Sequence, residues 1–579
     1  MKRNVIAAAI GVALVAAALT PAAAAVPADD AVATTTSTVS PAANGDKCLW
    51  GTEPVQAIAP VDYPRSYLTG WDWLRDYPSP HECALGPAWT PVMTQYPFSK
   101  VIATGDMGSL GEAKHLCTSL ADPTCAPGDW GQIYAESAIG YCKQPTDFNC
   151  IESLQVIDAS GATQDARYLR GFPETTEIPE FDEGDTFMPA GGSVPLWEYD
   201  GPQGVERILS VGMTHSTLRP VAGRWSKVPD SSVFSLTLRP VTIEPRPAIR
   251  KPFLQEQVDP RTGVPGINHV GWGDPAAVGC FAIDQGECAL DAVFPSDYRF
   301  RVTLRMRNDA TMYLNGAVDD PVAYSEKLEG GHRFVLEGAP SPVLAMAGWI
   351  PKSRVPRAVI DRVAAMVGNG YWEVDFDAAS PKPLGRGGAP SLAWLNALLP
   401  YFGDRASYIV DAWHVENTPS LGRYTSQCVD QARGEFIGIV SSNATAYTGE
   451  PPTYDAATST LKYEVAGPHY MPDGTTLSKG RYSINMNAAF VKCILGVDKV
   501  PSQARVELIY PDGEASAATL ALKQDQNWLR LYYENFTFSN PTVSVAFPKS
   551  LTCFKGKGKR TQSKKFTGFE CPKGWRPRR

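Results

Sequence analysis

Alternating apolar and polar residues predict β-strands through most of the chain beyond residue 150. The clearest run is YRFRVTLRMR at 298–307, where one face carries Phe300, Val302, Leu304 and Met306 and the other carries Arg299, Arg301, Thr303, Arg305 and Arg307. We expect a half-buried strand with a basic outer face. IESLQVID, VERILSVGM and SVFSLTLRPVTI predict further strands before residue 250.

Seven short apolar runs follow between residues 428 and 548. They are TLKYEVA, RYSINMNA, FVKCILG, ARVELIY, ATLALK, WLRLYY and TVSVAF. The tripeptide Pro511-Asp512-Gly513 lies between two of them and predicts a hairpin turn. About seven strands in about 120 residues favour a β-sandwich of immunoglobulin-like architecture.

Two helices are predicted between these strand-rich regions. Residues 356–367 (PRAVIDRVAAMV) have a proline at their start and Gly368 just past their end. The second helix spans residues 391–399, with its leucines on one stripe and Pro400 at its end.

The first 25 residues have the pattern of a signal peptide. Lys2 and Arg3 precede a 15-residue apolar run that ends before Thr20, and Ala23-Ala24-Ala25 fits a cleavage site. The run is shorter than the ~20 residues that a spanning helix needs. We therefore expect export, with no membrane span after cleavage.

The expected fold is mainly β and multidomain, with immunoglobulin-like β-sandwich domains and two short helices in the middle. The disulfide-rich N-terminal region is expected to be irregular. The predicted segments are a signal peptide (1–25), a flexible linker (26–47), a disulfide-rich N-terminal region (48–150), a β-rich domain (151–350), a helical and loop segment (351–427), a β-sandwich domain (428–548) and a basic disulfide-closed tail (549–579).

The chain has 579 residues with 49 Pro and 50 Gly, and 20% of its residues are charged. This composition excludes collagen, long coiled coils and a wholly disordered chain, and it fits many strands joined by turns.

The cysteines predict a set of disulfides, because the chain has an even count of 12 and an expected oxidising destination. Sequential pairing would join Cys48 to Cys83, Cys117 to Cys125, Cys142 to Cys150, Cys280 to Cys288, Cys428 to Cys493 and Cys553 to Cys571. Nested pairing among the four cysteines between 117 and 150 is the alternative. A metal site is not predicted, because no C-x-x-C is present and histidines are scarce near the cysteines.

The net charge of −8 divides into two opposite parts. Residues 549–579 contain eleven Lys or Arg and one acidic residue, whereas residues 26–548 carry a net charge of −20. The acidic body would repel nucleic acid, and the basic tail could bind a polyanion. A solvated tail, or a tail folded back on the acidic body, are the alternatives. The candidate anion-binding residues are Lys555, Lys557, Lys559, Arg560, Lys564, Lys565, Lys573 and Arg576.

Catalytic signatures are scarce. The sequence has no G-x-S-x-G, H-E-x-x-H, Walker A or G-x-G-x-x-G motif, and we predict no cofactor. His414 and Glu416, with Asp375 and Asp377, are weak catalytic candidates. Asp319-Asp320 is interpreted as a solvated turn.

Several motifs resemble those of uncharacterised secreted proteins of high-GC Gram-positive bacteria. The tail reads Thr-Cys553-Phe-Lys-Gly-Lys and later Cys571-Pro-Lys-Gly-Trp575, although many of those proteins have Tyr where Trp575 stands. Further matches are Ser-Ser-Asn-Ala at 441–444, Gly-Pro-His-Tyr at 467–470, Pro-Asp-Gly at 472–474, Lys-Cys at 492–493, Asn-Phe-Thr-Phe-Ser at 535–539 and Asn-Cys-Ile-Glu-Ser at 149–153. The resemblance implies location and architecture, not an activity.

The leading hypothesis is an exported envelope protein that acts by binding or structure. Its basic tail would associate non-covalently with an anionic cell-wall polymer. The alternatives are a secreted hydrolase or glycan-active enzyme, and an extracellular sugar- or protein-binding module. The sequence leaves the oligomeric state open.

Overall fold

The computed structural model describes residues 97–577, with gaps, together with two short strands at 84–85 and 88–89. The gaps are residues 107–111, 176, 184–185, 229–232, 249–253, 259–262, 270–279, 285, 308–311, 348–349, 352–355, 357, 359–382, 385–388, 419–423, 425, 433, 510–514, 526, 539–541 and 557–561. The predicted signal peptide, linker and Cys48–Cys83 pair lie outside the described residues.

The described chain is mainly β, as predicted, and its strands are numbered in chain order. The first part contains β1 (Ala84–Leu85), β2 (Ala88–Trp89), β3 (Lys100–Asp106), β4 (Glu112–Cys117), β5 (Gln132–Ala138), β6 (Cys150–Ile157), β7 (Thr163–Asp165), β8 (Arg167–Phe172), β9 (Phe181–Glu183), β10 (Thr186–Met188), β11 (Val194–Gly201), β12 (Gly204–Val221) and β13 (Arg224–Lys227).

The middle part contains β14 (Val233–Pro245), β15 (Leu254–Val258), β16 (Pro265–His269), β17 (Ala282–Asp284), β18 (Glu287–Asp291), β19 (Arg299–Arg307), β20 (Met312–Leu328), β21 (Gly331–Ala347), β22 (Ile350–Pro351), β23 (Pro383–Leu384) and β24 (Tyr408–Asn417).

The last part contains β25 (Phe436–Ser442), β26 (Ala446–Tyr447), β27 (Thr453–Asp455), β28 (Thr460–Ala466), β29 (Gly480–Asn487), β30 (Gln503–Ile509), β31 (Ala515–Ala521), β32 (Lys523–Asp525), β33 (Trp528–Phe536), β34 (Thr542–Ala546), β35 (Lys549–Lys555), β36 (Gln562–Gly568) and β37 (Arg576–Pro577). The α-helices are α1 (Ala389–Leu398), α2 (Ser426–Gln431) and α3 (Ala488–Leu495), and short 3-10 helices span Pro123–Cys125 and Leu399–Phe402.

One long central sheet runs through the molecule. Its strands follow the order β4-β3-β5-β12-β14-β24-β20-β25-β29-β33-β32, all antiparallel except the parallel pair β20–β25. The sheet passes through four of the segments into which the sequence divides. Strands such as β12 make this continuity possible, because its two halves pair with β11 and then β5 along one edge.

A second sheet covers one face of the central sheet. It has the order β7-β6-β19-β21-β20, and β20 bends from the central sheet into this one at a bulge after Asp319. The core between the two sheets includes Trp197, Phe300, Leu304 and Trp413. The alternation predicted for β19 thus places Phe300 and Leu304 on the buried face.

A third sheet has the order β26-β28-β34-β30-β31. It lies over the other face of the central sheet, at the end formed by β25, β29 and β33. The core between them contains Ile437, Leu461, Val506 and Leu531. The strands from 428 to 548 therefore occupy two sheets around one core. One of these sheets continues beyond that segment.

A short apolar run that predicts a strand, FVKCILG, instead forms most of helix α3. The Asn487 side chain accepts hydrogen bonds from the backbone N–H groups of Ala489 and Phe490 at 2.8 and 3.3 Å, which caps the helix start. Phe490 and Ile494 are buried on one side, and Gly496 ends the helix at φ 63°. The strand prediction was wrong because so short an apolar run has no distinguishing period.

The region between residues 97 and 150 also differs from the prediction. It is not irregular, because β3, β4 and β5 form regular antiparallel pairs and join the central sheet through β12. Helix α1 overlaps the predicted 391–399 helix. Nearly all of the predicted 356–367 helix lies outside the described residues.

The described residues contain five disulfides, and all five follow the sequential pairing. They are Cys117–Cys125, Cys142–Cys150, Cys280–Cys288, Cys428–Cys493 and Cys553–Cys571. Nested pairing between residues 117 and 150 is therefore excluded. The Cys428–Cys493 bond ties α2 to α3 and closes the longest loop of the five, with a sequence separation of 65.

The basic outer face of β19 is neutralised by carboxylates on its neighbouring strands. Arg305 and Arg333 hold opposite oxygens of Glu152 at 2.7 and 2.8 Å. Arg299 and Arg301 share Glu337 in the same way, at 3.2 and 2.7 Å. The face is therefore a lattice of cross-strand ion pairs, not a free cationic surface.

We expect removal of the Cys428–Cys493 bond to destabilise the protein more than removal of a short-loop bond. Loop-closure entropy predicts about 4 kcal/mol for a 65-residue loop and about 2.5 kcal/mol for an eight-residue loop. Denaturant unfolding of Cys428→Ala/Cys493→Ala against Cys117→Ala/Cys125→Ala would measure the difference. Equal losses would contradict the loop-length argument.

Glu152 should make stability depend on acid pH. Hydrogen bonds from Arg305 and then Arg333 lower the pKa of Glu152 from 4.5 to about 2. A lowered folded-state pKa gives stabilisation that is present above about pH 4.5 and is lost as the pH falls toward 2. Because the group is partly solvated, we expect the loss to be about 1–2 kcal/mol.

The pH dependence of the unfolding free energy should be flatter in Glu152→Gln than in the unchanged protein. Glu326→Gln is the matched control, since Glu326 contacts only one of the two arginines, Arg333, and its side chain is 61% exposed. A control variant that flattened the curve as much as Glu152→Gln would show that the ion pairs at Glu152 are not the source.

Candidate functional site: the basic tail

The tail folds as a small sheet of its own, here called the tail sheet (residues 549–577). Strand β35 lies in the middle, with β36 on one side and β37 on the other, and all pairings are antiparallel. The predicted disulfide between Cys553 and Cys571 closes it. Of the predicted cations, Lys557, Lys559 and Arg560 lie outside the described residues.

A few apolar contacts support the tail sheet. Phe566 meets Trp575 edge to face, with ring centroids 5.0 Å apart. The ammonium group of Lys564 lies 5.4 Å from the Phe566 ring centroid. Cys553 is fully buried. So small a core makes the disulfide a main support of the tail.

Lys549 of the tail sheet is half-buried, and the other five described cations of the tail sheet are exposed to solvent. These five are Lys555, Lys564, Lys565, Lys573 and Arg576. Within the part of the chain that the structure describes, none of the five forms an ion pair with a carboxylate. The Arg576 guanidinium donates a hydrogen bond to the Gly556 carbonyl at 3.1 Å, which leaves its charge unneutralised.

The tail contacts the body, but the charges are the reverse of those expected for a basic tail folded back on an acidic body. Arg505 on β30, in the body, lies 5.4 Å from the Phe569 ring centroid and 3.7 Å from the Glu570 carboxylate. The Lys549 ammonium donates to the Ala457 carbonyl at 3.0 Å. A body cation therefore holds the one acidic residue of the tail.

Sequence reasoning missed the contact with Arg505, because it links segments distant in the chain. The two faces of the tail sheet, in contrast, could have been found from the alternation in KSLTCFK and QSKKFTG. That period-two pattern places Lys564 and Lys565 on opposite faces of one strand.

The catalytic candidates His414 and Glu416 lie on one face of β24, where His414 is buried and the Glu416 side chain is 22% exposed. His414 is 3% exposed, and its Nδ1 lies 2.7 Å from the Thr237 hydroxyl. Its Nε2 is 3.9 Å from the Glu416 carboxylate. The Tyr447 hydroxyl donates to Glu416 at 3.1 Å. Asp375 and Asp377 lie outside the described residues.

This arrangement is a buried polar network between the central and third sheets. A second polar group lies beside it, because the Tyr463 ring stacks on Tyr447 with centroids 6.4 Å apart and the Tyr463 hydroxyl donates to the Asn315 side chain at 3.1 Å. Asn315 is itself fully buried and donates to the Gly449 carbonyl. Buried polar groups of this kind need such partners whether or not they act on a ligand.

A small cavity lies elsewhere, in the core between the central and second sheets. It has a volume of about 20 Å³ and an apolar lining that includes Phe234, Leu304 and Phe436. A site of this size and polarity does not suit a polar substrate, and neither His414 nor Glu416 lines it.

Asp319 and Asp320 form part of an ion-pair network, which corrects their interpretation as a solvated turn. Asp319 pairs with Arg481 and accepts a hydrogen bond from the Tyr532 hydroxyl at 3.2 Å. Burial raises the pKa of Asp319, and Arg481 opposes that shift. Asp320 has φ 43° and binds Arg530 at 3.1 Å. The bulge in β20 brings both carboxylates to β29 and β33.

Among the described residues, no three His, Cys, Asp or Glu side chains gather as a metal-binding group. No helix in that same part of the chain has both the length and the apolar character needed to cross a membrane. Comparison with known protein families, curated proteins and solved structures found no match for this chain.

Loss of the Thr237 hydroxyl should destabilise the network around His414. Thr237→Val leaves the buried imidazole nitrogen without its partner at 2.7 Å, and we expect unfolding to become easier by about 1–3 kcal/mol. Thr303→Val is the control, because Thr303 is 9% exposed and makes no side-chain hydrogen bond to another described residue. Equal effects of both variants in denaturant unfolding would contradict this role of the hydroxyl.

Proposed function

We propose that this chain is an exported protein of the cell envelope that acts by binding or as a structural component. Its basic tail associates non-covalently with anionic polymers of the cell wall. The protein belongs, in this proposal, with the secreted proteins of Gram-positive bacteria that its Cys-x-Lys-Gly-Lys and Cys-Pro-x-Gly-aromatic tail resembles.

The observation that carries the proposal is the availability of the tail charges. The five described cations are exposed, and the Arg505–Glu570 contact holds the tail against the body without using them. A tail neutralised by its own acidic body would need those cations paired with body carboxylates. Exposed cations on a stapled sheet are free to contact phosphate or carboxylate groups of a polymer.

The charge division supports the same proposal. Residues 26–548 carry a net charge of −20, so the body is repelled by an anionic surface while the tail is attracted. Such a protein would contact the wall through its tail. Five disulfides in the described chain fit an oxidising destination outside the cytosol.

The immunoglobulin-like architecture predicted for 428–548 belongs to this proposal as well. The strands of this segment form two sheets around one core, which is compatible with a β-sandwich. One of its two sheets, formed by β25, β29 and β33, continues into the larger central sheet through the pairing of β25 with β20. A sandwich of this kind would serve as a rigid support for the tail.

Neutralising the exposed tail cations should release the protein from cell walls. The variant carries Gln at Lys555, Lys564, Lys565, Lys573 and Arg576, and binding to purified walls would be measured by sedimentation. We expect binding of the unchanged protein to be strong at low ionic strength. It should be lost at about 0.5 M salt, where the screening length is about 4 Å.

The matched control removes five exposed body lysines, changing each to Gln: Lys143, Lys462, Lys479, Lys492 and Lys499. Both variants lose the same net charge, so a difference between them isolates the position of the charge. The proposal fails if the tail variant remains on walls as well as the control does, or if high salt releases neither protein.

A further inference from the structure

The tail sheet presents cations on both of its faces. Side chains alternate between the two faces along a strand, and directly paired residues share a face. Cys553 pairs with Lys564, and Thr552 pairs with Lys565. Lys564 therefore lies on the face of Cys553, and Lys565 lies on the opposite face.

The first face, here called the disulfide face, carries Lys555 and Lys564. Lys555 pairs with Gln562, which is two residues from Lys564 on β36, so the two lysines are diagonal neighbours. Diagonal neighbours lie about 7–8 Å apart, with their Cβ atoms somewhat closer. Phe566 lies beside Lys564 on this face and packs against Trp575.

The second face, here called the open face, carries Lys565 and Arg576. Arg576 on β37 pairs with Phe554 on the middle strand, whereas Lys565 is on β36 at the other edge. Two strand spacings and an offset of two residues separate these cations by about 12 Å. Phe554 lies half-buried between them.

We propose that the two faces are separate sites, each of which binds its own segment of a linear polyanion with phosphate groups along its length. One tail then joins two segments of wall polymer. This inference rests on the proposed function and adds the manner of binding to it. A polymer segment lying on one face cannot reach the cations of the other, because the side chains project in opposite directions from the sheet.

The proposed arrangement also suits the chemistry of the cations. Lysine acts as a compact point charge and arginine can bind phosphate with two parallel hydrogen bonds. Each face carries two exposed cations among the described residues. Two faces on one scaffold increase the overall avidity without any new contact, provided that both can be occupied together.

The test uses the full mature chain and particles coated with linear polyphosphate. Binding is measured by co-sedimentation and bridging by light scattering. One variant removes the disulfide-face charges (Lys555→Gln/Lys564→Gln), a second removes the open-face charges (Lys565→Gln/Arg576→Gln), and a mixed control removes one charge from each face (Lys564→Gln/Lys565→Gln). All three lose the same net charge. The mixed control should bind about tenfold to thirtyfold more weakly than the unchanged protein, and each one-face variant more weakly still, because it also loses one of the two sites.

We expect the unchanged protein to bind and bridge the particles. Each one-face variant should still bind but should no longer bridge, whereas the mixed control keeps one cation on each face and should bridge at higher protein concentration. The inference is overturned if the unchanged protein binds without bridging, if all three variants bridge alike, or if the mixed control fails to bridge at any protein concentration, as the one-face variants are expected to do. Failure of the unchanged protein to bind at all would instead overturn the proposed function, and the inference with it.

Discussion

Burial of the central sheet on both faces around β25 and β29 is the constraint on which the rest of the structure depends. A strand covered on both sides must be apolar or have its polar groups paired internally, and β25 is buried at every position from Phe436 to Ser442. Its polar end is tolerated because backbone groups satisfy it, since the Ser441 hydroxyl donates to the Val318 carbonyl at 2.6 Å. The same requirement explains why the His414 network has so many internal partners.

The sequence patterns were informative where the two faces of a strand differ in polarity. In β19 the alternation correctly identified the apolar, buried side; Thr303 and Arg305 on the opposite side are buried as well. The pattern could not show that these charges are matched by Glu152 and Glu337, which lie on different strands. These carboxylate and guanidinium groups are adjacent only when β6 and β21 pair with β19 in the observed register. The ion pairs therefore depend on strand pairing, which the sequence pattern does not give.

The same limit explains the other differences between prediction and structure. The apolar run FVKCILG is compatible with a strand or a helix. The Asn487 cap and the Cys428–Cys493 bond favour the helix. The sequence shows that Asp319 and Asp320 are adjacent, but it does not show that the bulge in β20 brings Asp319 to Arg481. For the tail, the disulfide and the cations were predictable from nearby residues, whereas the Arg505 contact with Phe569 and Glu570 was not.

The tail differs from the body in how its charges are balanced. Because its cations are not paired with carboxylates, the tail depends on its disulfide bond. In the body, cross-strand partners neutralise the arginines of β19, so these charges contribute to the fold. In the tail sheet the described lysines have no such partners, and close repulsion between them opposes folding. A sheet with a core as small as Leu551, Phe566 and Trp575 offsets that repulsion poorly.

The Cys553–Cys571 bond is therefore what allows the cations to be held in a fixed arrangement, and such a bond persists where thiols are oxidised. In a reducing compartment the same residues would lose their common scaffold and with it the two-faced arrangement of charge.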